Sequence, residues 1–254
     1  MTKSLFVLLL ACAGAADADI WHSGDLTTYT QASWGGDPGI DGGATLLDAS
    51  FDTVYGATFG VTVGSFSRFT MSFTDAGSVR AYMPSVGPFA PLNGTVLNPI
   101  STSSGAFGGE VLGLEFNVDF SDAGFLPGTT GIPFGNLILE NFSTPAFNGL
   151  TVRQFLGDVN TLLGGGSSVF TIADLGTTVH DVNVSFFDGT PSTFAQQHLV
   201  APTSASPVPE PSSLRLVIAV ALGLGVPYRL RRVISRRARN RVVSCGAKNP
   251  REFR

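Results

Sequence analysis

The sequence predicts an α+β fold, mixed β-strands with several short helices, followed by a Pro-rich linker and a single C-terminal transmembrane helix. Three observations lead there. Between residues 19 and 199, stretches of alternating apolar side chains stand beside stretches where they recur every three or four residues, the patterns of half-buried strands and amphipathic helices. Residues 200–211, "VAPTSASPVPEP", carry four prolines among small residues, a stalk composition. Leu216 to Tyr228 contains no charge, and arginines follow it closely.

Composition fits one large domain or two small ones. The 254 residues are 43% hydrophobic and only 13% charged, with 31 Gly and 20 Phe. That is enough apolar material for a core, and the wrong balance for intrinsic disorder. The net charge of −4 conceals an asymmetry. From Asp17 to Val200 there are seventeen acidic residues against three arginines, a net −14, whereas ten arginines and one lysine against Glu252 follow from Arg215 onward. So acidic a body repels phosphate, and nucleic acid is excluded as its expected partner. Cys12 and Cys245 lie at opposite ends, which leaves no disulfide framework and no thiol-rich metal site in the body.

Taken in order, residues 1–18 read as a signal peptide. Lys3 supplies a positive start, Leu5 to Ala11 an apolar segment, and "ACAGAADA" small-residue cleavage sites between Ala13 and Ala18. "LLAC", ending at Cys12, also resembles a lipoprotein box. Residues 19–199 form the exported domain, with two zones at about 20–100 and 110–199. In the first zone "LLDASFDTVYG" places Leu47, Phe51, Val54 and Tyr55 on one helical face and stops at Gly56. "ATFGVTVG" and "SRFTMSF" alternate as two strands. Thr74-Asp75 caps a short helix through Tyr82, stopped by Pro84, and a Pro/Gly/Ser-rich loop covers 84–109.

In the second zone "EVLGLEFNVDF" alternates Val111, Gly113, Glu115 and Asn117 against Leu112, Leu114, Phe116, Val118 and Phe120, which predicts a half-buried strand. "FGNLILENF" predicts another. "TVRQFLGDVNTLLGGG" opens with Thr151 and Gln154 in capping-box spacing, aligns Val152, Phe155, Leu156, Val159, Leu162 and Leu163, and ends in glycine. Ile172, Leu175, Val179, Val182 and Phe186 keep helical spacing, although "VNVSFF" alone suits a strand. Residues 200–213 are the linker, 214–230 the short transmembrane helix, and 231–254 a basic cytoplasmic tail. The uncharged run of 13 residues spans about 20 Å as a helix, short of the roughly 30 Å of a bilayer's hydrocarbon. Arg229, Arg231, Arg232, Arg236 and Arg237, with Arg239 and Arg241, hold the C-terminus on the cytoplasmic side.

Val208, Pro209, Glu210, Pro211 and Ser212, then the short apolar span, then clustered arginine, closely resemble the PEP-CTERM sorting signal of bacteria. The resemblance covers about thirty residues and implies a substrate of an exosortase-like membrane enzyme, with Val208 to Ser212 as the element recognised. Two prolines remove backbone donors and keep the chain extended for a protease-like cleft. Arg215 and the extension "VVSCGAKNPREFR" depart from the family pattern. "TYTQASWGG", "FNVDFSDAG" and "TPSTFAQQHL" loosely resemble segments of exported bacterial proteins bearing the same signal, which implies no activity. The resemblance implies an exported cell-envelope or matrix-associated protein, non-catalytic, with the membrane, the sorting enzyme and an extracellular polysaccharide as partners. The alternative is a secreted hydrolase or carbohydrate-binding module on an unprocessed anchor.

No sequence motif assigns catalysis. His22, His180 and His198 are far apart, and only His180-Asp181 sets a carboxylate beside an imidazole, a pairing more often solvated than catalytic. Neither a Gly-x-Ser-x-Gly elbow nor a P-loop occurs, and Gly164 to Gly166 read as a helix stop. "GDVN" at Gly157–Asn160 resembles the start of a dockerin calcium loop but continues into Leu162, Gly164 and Val169 where oxygen ligands are needed, leaving Asp158 and Asn160 as a helix's polar face. No cofactor is expected; Asp37 with Asp41 and Asp119 with Asp122 are the candidates for a structural Ca²⁺. Trp21 and Trp34 are candidates for sugar stacking, with packing as the ordinary role of such rings.

Overall fold

The longest helix of the described chain occupies the segment whose alternation predicts a strand. In the computed structural model, which describes residues 21–56, 58 and 60–202, "EVLGLEFNVDF" lies within α4, Ala106–Asp122. The strand expectation fails for a physical reason. Phe107, Val111, Leu112, Leu114, Phe116, Val118 and Phe120 are all buried, so the helix is apolar nearly all round and has no wet stripe to reveal a 3.6-residue period. The residues that mimic a strand's polar side, Glu115, Asn117 and Asp119, are partly or wholly covered and find polar partners instead.

Around α4 the remaining elements appear in the order α1 (Gln31–Trp34), α2 (Gly42–Tyr55), β1 (Val61–Gly64), β2 (Thr70–Phe73), α3 (Ala76–Tyr82), β3 (Val96–Leu97), then α4. After it come β4 (Ile138–Leu139), α5 (Val152–Leu163), α6 (Ile172–Asn183), α7 (Thr193–His198) and β5 (Leu199–Val200), with short 3₁₀ turns at Phe134–Asn136 and Pro145–Phe147. The architecture is thus mixed α+β with small sheets, as expected at that level. Strands β1 and β2 pair antiparallel with Val61 opposite Phe73, and β3 joins β2 in parallel through Met71 and Val96. A second, two-stranded sheet pairs β4 with β5 antiparallel. Among the described residues no helix is long and apolar enough to cross a membrane.

Several local expectations hold because their signals are chemical rather than periodic. Helix α2 ends at Gly56, whose φ of 72° lies where only glycine is at ease. Asp75 caps α3 by accepting from the Ser78 N–H. Thr151 and Gln154 form the expected capping box on α5, and Thr171 with Asp174 repeats the device on α6. The expected strand "FGNLILENF" shrinks to Ile138–Leu139 behind a 3₁₀ turn, and "TPSTFAQQH" contains α7, which no expectation named.

The two zones share one apolar core. Trp34 of α1, fully buried, sits between Tyr29, Phe116 and Phe120 at ring-centroid distances of 5.4, 5.3 and 5.1 Å. Phe147 stacks on Phe170 at 4.4 Å, which ties the 3₁₀ turn before α5 to the approach to α6. Trp21 is buried too, donating its indole N–H to the Leu199 carbonyl at 2.7 Å.

Candidate functional site

Polar groups are the exception in so apolar a helix, and α4 carries them on two opposed faces. Glu110 and Asn117 are seven residues apart and project to one side; Glu115 and Asp119, one turn apart, project to the other.

On the first face Glu110 is buried, its side chain only 7% exposed. A buried carboxylate survives only if donors surround it. Gln31 donates its amide to Glu110 Oε1 at 3.0 Å, Asn183 donates to Oε2 at 2.9 Å, and His180 Nδ1 stands 3.0 Å from Oε1. The Gln31 side-chain Oε1 in turn accepts from the Ser85 N–H at 3.0 Å. Asn117 accepts from the Tyr29 N–H at 2.8 Å and donates to the Asn183 side-chain Oδ1 at 3.0 Å, so the network is continuous from α1 through α4 to α6. The His180 ring meets this carboxylate through Nδ1 while its side chain stays 54% exposed. Room for this arrangement comes from Gly109, where a Cβ would collide with the Gln31 carboxamide oxygen.

On the second face Glu115 Oε2 accepts from the Asn160 amide at 3.0 Å, and Asn160 Oδ1 accepts from the Gly64 N–H at 2.7 Å. Burial, followed by the nearby Asp119 charge, pushes the Glu115 carboxyl up to about 7. Burial likewise raises the Asp119 carboxyl. Tyr55 closes the cluster from α2: its hydroxyl is shielded from solvent next to Asp119 without meeting hydrogen-bond geometry, and burial drives its ionisation well above the ordinary tyrosine value. Arg153 of α5 lowers both carboxyls but is already 2.7 Å from Asp122 Oδ2.

A cleft of about 320 Å³ opens beside the C-terminal end of α4, between Leu26–Thr27 and the Pro/Gly-rich 124–133 segment. Asp122 and Ser121 line it; Glu110, Glu115 and His180 do not. Glu110, Glu115 and Asp119 stand along one helix, and none of them lines this cleft.

The residues singled out from sequence fall as follows. Val208, Pro209, Glu210, Pro211 and Ser212, and Arg229, Arg231, Arg232, Arg236 and Arg237, lie outside the described residues, as do the signal-peptide segment, the linker beyond Pro202 and the transmembrane segment. His180 meets the distant Glu110, not the adjacent Asp181, as its hydrogen-bonded carboxylate. Asn160, expected on a helix's polar face, bridges α4 to β1. Asp122 is engaged by Arg153, Asp119 lies beside the Tyr55 hydroxyl without an aligned hydrogen bond, and Asp41 accepts from the Asp37 N–H at 2.9 Å. Among the described residues no three His, Cys, Asp or Glu side chains converge as a metal site. Trp21 and Trp34 are buried, which corrects any stacking role for them. Sequence reasoning missed Glu110 entirely. The signal that marks it is the Gly108-Gly109 pair before it, costly in a helix unless another group must approach closely.

No family model matches the chain, and no curated protein or solved structure matches it either.

Proposed function

We propose that the chain is cargo for export to the cell envelope or extracellular matrix, carrying a PEP-CTERM-like sorting signal processed by an exosortase-like membrane enzyme and performing no catalysis itself. One observation carries this reading: the fixed order of Val208–Ser212, an uncharged span from Leu216 to Tyr228, and the arginine cluster Arg229, Arg231, Arg232, Arg236 and Arg237. Translocation proceeds from the N-terminus until the cationic tail, costly to move through hydrocarbon, arrests it. The acidic character of residues 17–200 supports the same direction of transfer and a soluble outer domain.

The hydrolase or sugar-binding alternative draws no support from the buried indoles or from the placement of Glu115 and Asp119 away from the cleft. Mass spectrometry of the mature chain, from cells with and without the sorting enzyme, tests the proposal. Loss of everything beyond the Pro209-Glu210-Pro211 region only in the presence of the enzyme is expected; an intact arginine tail in both overturns it.

A further inference from the structure

Tyr55, Glu115, Asp119, Asn160 and Arg153 come from three helices, and none is taken up by the sorting reading. Their hydrogen bonds lead to one place. Glu115 holds the Asn160 amide, and Asn160 holds the N–H of Gly64, the last residue of β1. Gly64 has a φ of 102°, and a Cβ there would stand 2.5 Å from the Phe69 carbonyl oxygen, so this is where the chain turns toward β2. The turn is held further by Ser65 N–H to the Phe69 carbonyl, 2.9 Å, and Phe69 N–H to the Gly164 carbonyl, 3.3 Å, at the end of α5. At its tip Phe66 is 89% exposed.

We propose that Glu115 and Asp119 form a proton-operated seam between α4, α2 and α5, closed when Glu115 is protonated and loosened when both carboxylates are ionised, which sets how firmly the Phe66 turn is held. The reason is geometric. Two carboxylates one helical turn apart on a covered face repel when both are charged, and hydration is their available relief. The groups facing the pair are Asp119 and Asp122 from α4, Tyr55 from α2 and Arg153 from α5; β1, Val-Thr-Val-Gly, brings no charge. Arg153 is shared with Asp122, and Tyr55 offers a hydroxyl without an aligned partner. Water reaches the carboxylates if α5 parts from α4, and Asn160 carries that movement to Gly64.

The sign follows from linkage. Glu115 binds its proton more tightly folded than unfolded, so the folded chain is favoured most at low pH, and that advantage is lost as pH rises from 4.5 to about 7. This inference is independent of how the tail is processed. Amide exchange of the full-length chain, corrected for the intrinsic pH dependence of exchange, is the test. Protection across 61–69 and 152–163 should fall over that window in the wild type and stay level in Glu115→Gln. Should that variant fail to fold, Asp119→Asn, which removes a neighbouring charge that raises the Glu115 carboxyl, should shrink the loss of protection and bring it to lower pH, because the carboxyl left behind no longer faces a second charge on the same covered face. A carbon-13 titration of the Glu115 carboxyl reads the same group directly. Identical pH profiles in wild type and variants, or a Glu115 carboxyl titrating at its ordinary value, would overturn the seam.

Discussion

Glu110 is buried, and its side-chain partners come from two helices, Gln31 from α1 and His180 and Asn183 from α6. Removing it takes the acceptor from the partly buried Gln31 amide and leaves the Asn183 amide only the backbone carbonyl at position 110 and no carboxylate. Glu110→Ala is therefore expected to cost about 3 kcal/mol in urea unfolding, the order seen when one member of a buried charged network is lost. His180→Ala should cost much less, about 1 kcal/mol, because its ring is half in solvent. Equal losses from the two would show that the imidazole, not the burial, dominates. Gly109→Ala should also destabilise, by roughly 1–3 kcal/mol, since the new methyl displaces the Gln31 carboxamide from both Glu110 and Ser85. None of this was legible along the chain. His180 and Glu110 are 70 residues apart, and periodicity assigns Glu110 to no face at all.

At the scale of elements, α5 was legible to the residue, because a capping box and a terminal glycine are local chemistry that needs no knowledge of the fold. Thr151→Ala should cost about 1 kcal/mol in a thermal or urea melt, the ordinary loss of an N-cap. Gly157, within the same helix, has nothing within 4 Å of where a Cβ would stand. Gly157→Ala should therefore stabilise the chain by about 0.5–1 kcal/mol through helix propensity alone, and a loss would point to a neighbour the packing does not reveal. Helix α4 was illegible for the opposite reason. Periodicity reports the contrast between a wet and a dry face, and a helix enclosed by α1, α5 and α6 has little contrast to report. Its apparent alternation came from Glu115, Asn117 and Asp119, whose polarity serves contacts inside the protein.

For the molecule as a whole, two of the arginines in the described residues are committed to Asp48 and Asp122, and the many remaining carboxylates repel one another. Raising sodium chloride from low to physiological strength should raise the melting temperature, because salt screens that repulsion more than it weakens two exposed ion pairs. A fall instead would show that the pairs outweigh the general field. The proposed sorting signal is an order of residues along the chain and needs no tertiary contacts to be read, whereas the acid cluster exists only once three helices meet.

Trp21 lies at the start of the described chain and Leu199 near its end, yet the indole donates to the Leu199 carbonyl while Gln196 grips both backbone groups of Trp21 at 3.2 and 2.6 Å. A polypeptide made from its N-terminus must hold that tryptophan in waiting until β5 arrives, 178 residues later. Closure of this buckle thus marks a finished domain: a chain halted midway would lack it and lie open to proteases.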